Sequence, residues 1–244
     1  MNFDLSIFVQ ALTSPANLDG VRVTIALTVV AMVFGVGLGL LVALLREQHS
    51  VVLRALGTGY VWIFRAVPTL VQLFFVWNAL PQLFPILRGD WFSSFLAATI
   101  ALSMNEAAYA AEILRGGLLA IDEGQWLAAR ALGLTPPQVF VKVIAPQLTR
   151  VVIPPLANDF ITMLKITSLA SVISLQELLA RTQTAIASTF RFAEYYAAAA
   201  VYYLVLVSVF MVVQGQLERR FAWTSAERRE TSAMARLRRL AALR

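Results

Sequence analysis

The sequence predicts an all-α membrane protein with five transmembrane helices and a helical cytoplasmic loop between the third and fourth. Three observations predict that class. Of the 244 residues, 59% are hydrophobic and only 14% charged, a balance outside the range of soluble domains of this length. The apolar residues gather into stretches long enough, as helices rising about 1.5 Å per residue, to cross about 30 Å of hydrocarbon. The cationic residues collect in alternate connections, the pattern that orients a chain across a bilayer. The same composition excludes other classes. There is no cysteine and a single histidine, His49, so neither a thiolate nor a histidine metal cluster is available, and no metal or catalytic residue is assigned. The net charge of +6 is concentrated in a basic tail over residues 222–244 and the arginines just before it, Arg219 and Arg220. A basic run after a span predicts a cytoplasmic terminus rather than nucleic-acid binding.

Residues 1–20 carry Asp4 and Asp19 and lack both a basic leader and a long apolar core, so they read as an extracytoplasmic segment, not a cleaved signal. The first span covers residues 23–45 and serves as the insertion signal. Its Gly35, Gly37 and Gly39 imitate part of a phosphate-binding loop, but no strand precedes them, and close helix packing suits them better. A short polar loop with Arg46, Glu47, His49 and Arg54 follows. The second span, 66–83, opens with Pro68 in its first turn, where a missing N–H costs nothing. Trp62 and Arg65 mark one boundary of that span, and Pro81 and Pro85 its far end. The third span covers 92–114, the fourth 151–173 and the fifth 195–214, with Trp223 as an interfacial anchor. An odd number of spans puts the termini on opposite sides. With the C-terminus inside, the inner side receives Arg46, Arg54, Arg115, Arg130, Lys142, Arg150 and the tail, and the outer side keeps Arg22, Arg88, Arg181 and Arg191. The positive-inside rule therefore predicts an outside N-terminus and a cytoplasmic C-terminus.

The connection between spans three and four, "GQWLAARALGLTPPQVFVKVIAP" at 124–146, is too polar for the bilayer. Asp122 and Glu123 favour a helix start, Trp126, Leu127, Ala131 and Leu134 recur at helical spacing, and Gly133 breaks the run. Thr135 and Pro136 then suit the cap and first turn of a second short helix with an apolar stripe of Val139, Phe140, Val143 and Ile144. Such a knuckle suits either the lipid surface or a groove on a soluble partner.

The pattern Ala128, Ala129, Gly133 and Pro146 resembles the EAA loop of the membrane subunits of ABC importers, whose motif runs Glu-Ala-Ala, three residues, Gly, nine residues, Ile-x-Leu-Pro. Leu127, Val143 and Ala145 stand where the motif has Glu, Ile and Leu. "FRAVPTLVQLFF" (64–75) resembles the Phe-Arg-Gly-Thr-Pro-x-x-x-Gln signature of the polar amino acid permease branch. The stretches "AAYAAEILRGGLLAIDEGQW" (107–126) and "IPPLANDFITMLKITSLASVISLQEL" (153–178) are similar to the same branch. The resemblance implies a permease domain over 21–221 with a coupling loop over about 116–150. In that loop Gln125, Trp126, Leu127, Ala128, Ala129, Arg130, Gly133 and Pro146 would dock into a cytoplasmic ATPase dimer. It further implies a second permease subunit, identical or similar, an extracytoplasmic solute-binding protein, an amino acid as substrate and the bacterial cytoplasmic membrane as location. No cofactor is expected on this chain. ATP and Mg would bind the partner ATPase, because no G-x-x-x-x-G-K-[ST] loop occurs here.

Intramembrane charge is costly, so polar residues within spans are functional candidates. On span three, Asn105, Tyr109 and Glu112 repeat at helical spacing beside Glu106. An intrahelical pair with Arg115 is expected for Glu112, whereas interhelical pairing and pathway lining are both open for Glu106. Span four carries Asn158, Thr162 and Lys165 at i, i+4 and i+7, with Asp159 on an adjacent stripe and Thr167 and Ser168 beyond. A polar face on an apolar helix looks into a cavity or at another helix. The resemblance aligns Lys165, Ile166, Thr167 and Ser168 with the family's Lys-Asp-Thr-Ser, so Ile166 replaces a carboxylate whose role Asp159 is placed to take. Two other classes compete. An ion-coupled carrier or channel should show internal repeats with broken helices, and none is evident. An intramembrane serine hydrolase built on Ser168 and Lys165 would need an oxyanion site, and no glycine pattern supplies one.

Overall fold

The computed structural model describes residues 3–221, so the basic tail and the expected anchor Trp223 lie outside the described residues. The described chain is helical from end to end. Helix α1 (Leu5–Thr13) is capped by the Asp4 carboxylate, which accepts from the amides of Ser6 and Ile7. Helix α2 (Pro15–Arg46) starts eight residues before the expected start of span one, with proline in its first turn, where it suits a helix start.

Two approaches organise the core. Helix α5 (Ser94–Leu119) lies against α2 so closely that a Cβ on Gly35 would sit 2.6 Å from the Glu106 Cβ, and one on Gly39 would sit 2.7 Å from the Ala110 Cβ. Gly37 meets nothing. The glycines four apart are therefore the packing surface, answered on α5 by fully buried Ala107, Ala110 and Ala111, in the small-residue manner of membrane helix pairs. The buried apolar residues form a larger cluster with Leu27, Leu73, Leu102, Met163 and Ile173 and a smaller one with Val42, Val61, Ala111, Leu114 and Val152.

The second span differs from expectation. The chain is already helical from Val51, forming α3 (Val51–Ala66), and then bends by 104° before α4 (Thr69–Leu83). Pro68 causes the break: it has no N–H for the Phe64 carbonyl and disfavours helical geometry at Val67, which is extended at φ −83°, ψ 129°. The carbonyls this frees are satisfied by side chains. Gln72 Nε2 donates to the Phe64 and Val67 oxygens at 2.9 and 2.8 Å, and Asn105 Nδ2 donates to Phe64 O at 3.0 Å.

Helix α6 (Glu123–Ala131) is followed by α7, which runs unbroken over Pro136–Ile173, 38 residues. The expected short second helix of the knuckle is thus the beginning of span four. Pro146 does not stop it because the preceding turn, Phe140–Ile144, is wound as a π turn, with the Ala145 amide bonding Phe140 O. The wider turn makes room for a ring that would clash with an α-helical carbonyl. The same device precedes Pro81 in α4, where Phe75–Ala79 is a π turn. Helix α8 (Leu178–Thr189) is capped by Glu177, which is fully buried and accepts from the amides of Leu179 and Ala180 at 2.9 and 2.7 Å and from Tyr203 Oη at 3.2 Å. Tyr203 belongs to α9 (Phe192–Phe221), which also receives the N-terminus: the Asp4 amide donates to Glu194 Oε1 at 3.0 Å.

Three of these helices, α2, α7 and α9, are long and apolar enough to cross a membrane, and the bent pair α3–α4 makes a fourth crossing if counted as one. Helix α5 is not among them, since Asn105, Glu106 and Glu112 lower its apolarity.

Candidate functional site

The knuckle is built from its caps upward. Asp122 Oδ1 accepts from the Gly124 amide at 2.7 Å to start α6, and Gly133, at φ +78°, reverses the chain after it. A left-handed residue there costs glycine nothing. Thr135 and Gln138 form a reciprocal capping box that starts α7, with Thr135 N donating to Gln138 Oε1 at 3.0 Å. The expected apolar stripes divide between two destinations. Trp126, Ala129, Leu134, Val139, Val143 and Ile144 turn inward to a small core with Ile121. Leu127 and Leu132 stay exposed at 68% and 82%, with Phe140 and Val141 exposed on the first turns of α7. Gln125 joins the two helices by accepting from Gln147 Nε2 at 3.3 Å. Arg130, Ala128 and Pro146 are also exposed, so of the residues assigned to the loop only Ala129 is buried.

The polar candidates inside the bundle separate into three environments. Asn105 is buried, and its amide is spent on Phe64 O and on Gln72 Oε1 at 3.3 Å. Glu106 is buried against α2, and Glu106 Oε1 and Asp159 Oδ2 have no hydrogen-bond partner among the described residues. On the outer face of α7, Asn158, Thr162 and Lys165 are exposed in a line. Thr167 does not join them: it is fully buried and donates to Leu164 O at 2.7 Å. Ser168 Oγ donates to Lys165 O at 2.7 Å, which occupies the hydroxyl that a serine nucleophile would need.

The ion pairing of span three corrects one expectation. Glu112 does not pair with Arg115. It takes Arg46 of α2 at 2.7 Å and Arg65 of α3 at 3.8 Å, while Arg115 approaches Glu47 at 3.8 Å. Side chains from three helices converge there, and spacing along one helix carries no trace of them. The bend-satisfying role of Gln72 did have a local signal, a proline followed four residues later by a glutamine.

Against known proteins, residues 35–223 match the model of a family described as binding-protein-dependent transport system inner membrane component. The probable amino-acid permease protein YxeN of Bacillus subtilis (strain 168) is 37% identical over 205 residues, covering 84% of this chain and 91% of that protein. The glutamine transport system permease protein GlnP of Escherichia coli (strain K12) is 36% identical over 220 residues, covering 90% and 98%. Among solved structures, an amino acid ABC transporter crystallised with histidines matches with a TM-score of 0.82 at 34% identity, over 90% of this chain and 100% of that one. The methionine ABC transporter MetNI, in an inward-facing form, shares the fold with a TM-score of 0.68 at 23% identity. With a family model matched over most of its length and relatives this similar from end to end, the chain belongs to the family of inner membrane components of binding-protein-dependent transport systems.

Proposed function

We propose that this chain is the permease subunit of an ABC importer for an amino acid, with no catalytic chemistry of its own. The observation that carries the reading is the exposed line of Asn158, Thr162 and Lys165 on helix α7, which is long and apolar enough to cross a membrane. Lipid cannot satisfy those groups, so that face turns to water or to protein. A second permease, identical or similar, would cover it and leave a polar path between the two. Glu106 and Asp159, each with an unpartnered carboxyl oxygen behind that face, are suited to hold the ammonium group that every amino acid carries. The relatives named for amino acid and glutamine transport support that substrate class.

The chain crosses the membrane five times on this reading, with α5 as the third span. Its polar residues are tolerable because neighbouring helices bury Asn105 and Glu106 and Arg46 pairs with Glu112. The arginine distribution supports an outside N-terminus, a cytoplasmic C-terminus and a cytoplasmic knuckle. The exposed Leu127, Leu132 and Phe140 then await the cleft of a cytoplasmic ATPase, one of a pair that binds ATP and Mg. A solute-binding protein outside delivers the substrate. Closure of the ATPases pulls the knuckle, and because α7 is continuous from the knuckle past Pro146, Pro154 and Pro155, the pull reaches Asn158 and Lys165 along a single helix. The path then opens alternately by rigid-body rocking. The test is reconstitution of the permease with its ATPase and binding protein in vesicles. ATP-dependent uptake of an amino acid from a panel is expected, and uptake that persists without the ATPase would refute the reading.

A further inference from the structure

We infer that the end of the bundle where α2, α3 and α5 meet holds the phosphate of an anionic phospholipid head group. Four arginines gather there from three helices: Arg46, Arg54, Arg65 and Arg115. Arg46, Arg54 and Arg115 line one cleft of about 300 Å³, together with Glu47 and Thr58. A second cleft, of about 450 Å³, shares Arg46 and Thr58 and continues along α3 to Trp62 and Arg65. The carboxylates present are too few to balance the charge. Glu112 answers both Arg46 and Arg65, Glu47 approaches Arg115 at 3.8 Å, and Arg54 has no ion pair or hydrogen bond from its side chain among the described residues. Clustered like charges repel, and an anion seated among them removes the repulsion.

The surroundings select a lipid over a soluble anion. On α3, Arg54, Thr58 and Arg65 occupy one stripe, at i, i+4 and i+11, which lies along the clefts. Rotated away from it, Val52, Leu56 and Ile63 form a second stripe at the same spacing, exposed at 67%, 62% and 48%, and Trp62 stands between the two stripes, 72% exposed. A cationic cleft bordered by an apolar strip and an indole has the layering of a membrane boundary: head group against arginine, tryptophan at the interface, acyl chains along the aliphatic side chains. The site is separate from the polar line on α7, and it would stand even if that line faced something other than a substrate.

The purified full-length permease in neutral detergent tests this by native mass spectrometry with short-chain phosphatidylglycerol, phosphatidylcholine of the same chain length, and inorganic phosphate as probes. Phosphatidylglycerol should be retained about tenfold better than phosphatidylcholine, and Arg54→Gln with Arg115→Gln should remove about tenfold of that retention. Arg54→Gln alone breaks no protein contact, so it should lower retention while leaving the unfolding temperature unchanged. Equal retention of the two lipids, or undiminished retention by both variants, would overturn the site. Displacement of the lipid by millimolar phosphate would show a free-anion site and overturn the lipid assignment.

Discussion

A methyl group at position 39 would lie 2.7 Å from the Ala110 Cβ and 2.9 Å from the Ala107 carbonyl, whereas one at position 37 would touch nothing. The two glycines stand two residues apart on the same apolar helix and differ only in which way they face. Gly39→Ala should therefore force α2 and α5 apart and cost about 1–3 kcal/mol, as overpacking of a tight contact does. Gly37→Ala should be neutral or stabilising by up to about 1 kcal/mol, since alanine is the better helix former. Unfolding temperatures of the two variants in detergent separate the outcomes, and equal loss in both would refute the assignment of Gly39 to the interface. The same directional logic sorts the polar residues. Asn105 serves the Phe64 carbonyl that Pro68 leaves bare, whereas Glu106, the next residue, turns about 100° away and keeps a carboxyl oxygen without a hydrogen-bond partner among the described residues.

Helices show which features of a sequence travel into structure unaided. The apolar stretches, the caps at Asp122 and Thr135 and the reversal at Gly133 were legible because each depends on residues within one turn of itself. The 104° bend and the π turns were not, because proline sets the problem locally while its solution lies elsewhere: Asn105, which helps to satisfy the bend at Val67, is on α5. The knuckle was expected as two short helices and is one short helix joined to a long one, a difference with mechanical consequences. A hinge at Pro146 would absorb a pull from below, whereas a continuous α7 carries it past that point to the turns that hold Pro154 and Pro155. Gly133 is where the knuckle can be perturbed without touching that helix, since its surroundings are open. Both asparagine and aspartate tolerate the left-handed conformation, so Gly133→Asn and Gly133→Asp should insert and fold alike. Aspartate adds a charge that must be desolvated on docking, so it should abolish transport-coupled ATPase stimulation while asparagine retains a measurable fraction. Equal stimulation by both variants would remove the knuckle's Gly133 end from the docking surface.

At the scale of the whole molecule, the described surface carries two kinds of uncovered group in places that lipid and water do not suit. One is the polar line on α7, a helix long and apolar enough to cross a membrane; the other is the apolar set Leu127, Leu132, Phe140 and Val141 on the knuckle. Each would be a liability in an isolated chain, and on the proposed reading each is resolved by assembly, the first by a second permease and the second by the ATPase. The nature of the second contact follows from what stands in it. Leu127 occupies the position where the EAA motif places a glutamate, and it is 68% exposed with no acidic residue closer in sequence than Glu123. Burial of apolar surface stabilises a contact by about 25 cal/mol per Å² and is insensitive to screening, while a charged pair across the same interface weakens as the Debye length shrinks from about 10 Å at 0.1 M salt to about 3 Å at 1 M. ATPase association with this permease should therefore hold nearly constant from low to high salt. Leu127→Glu should restore a salt-dependent component if a basic residue faces it from the ATPase, and it should weaken binding at every ionic strength if the facing surface is apolar. Affinity measured by titration at both salt concentrations decides the matter: a wild-type affinity that falls steeply with salt would show that charge, supplied by Arg130 or Lys142, holds the contact in place of the leucine.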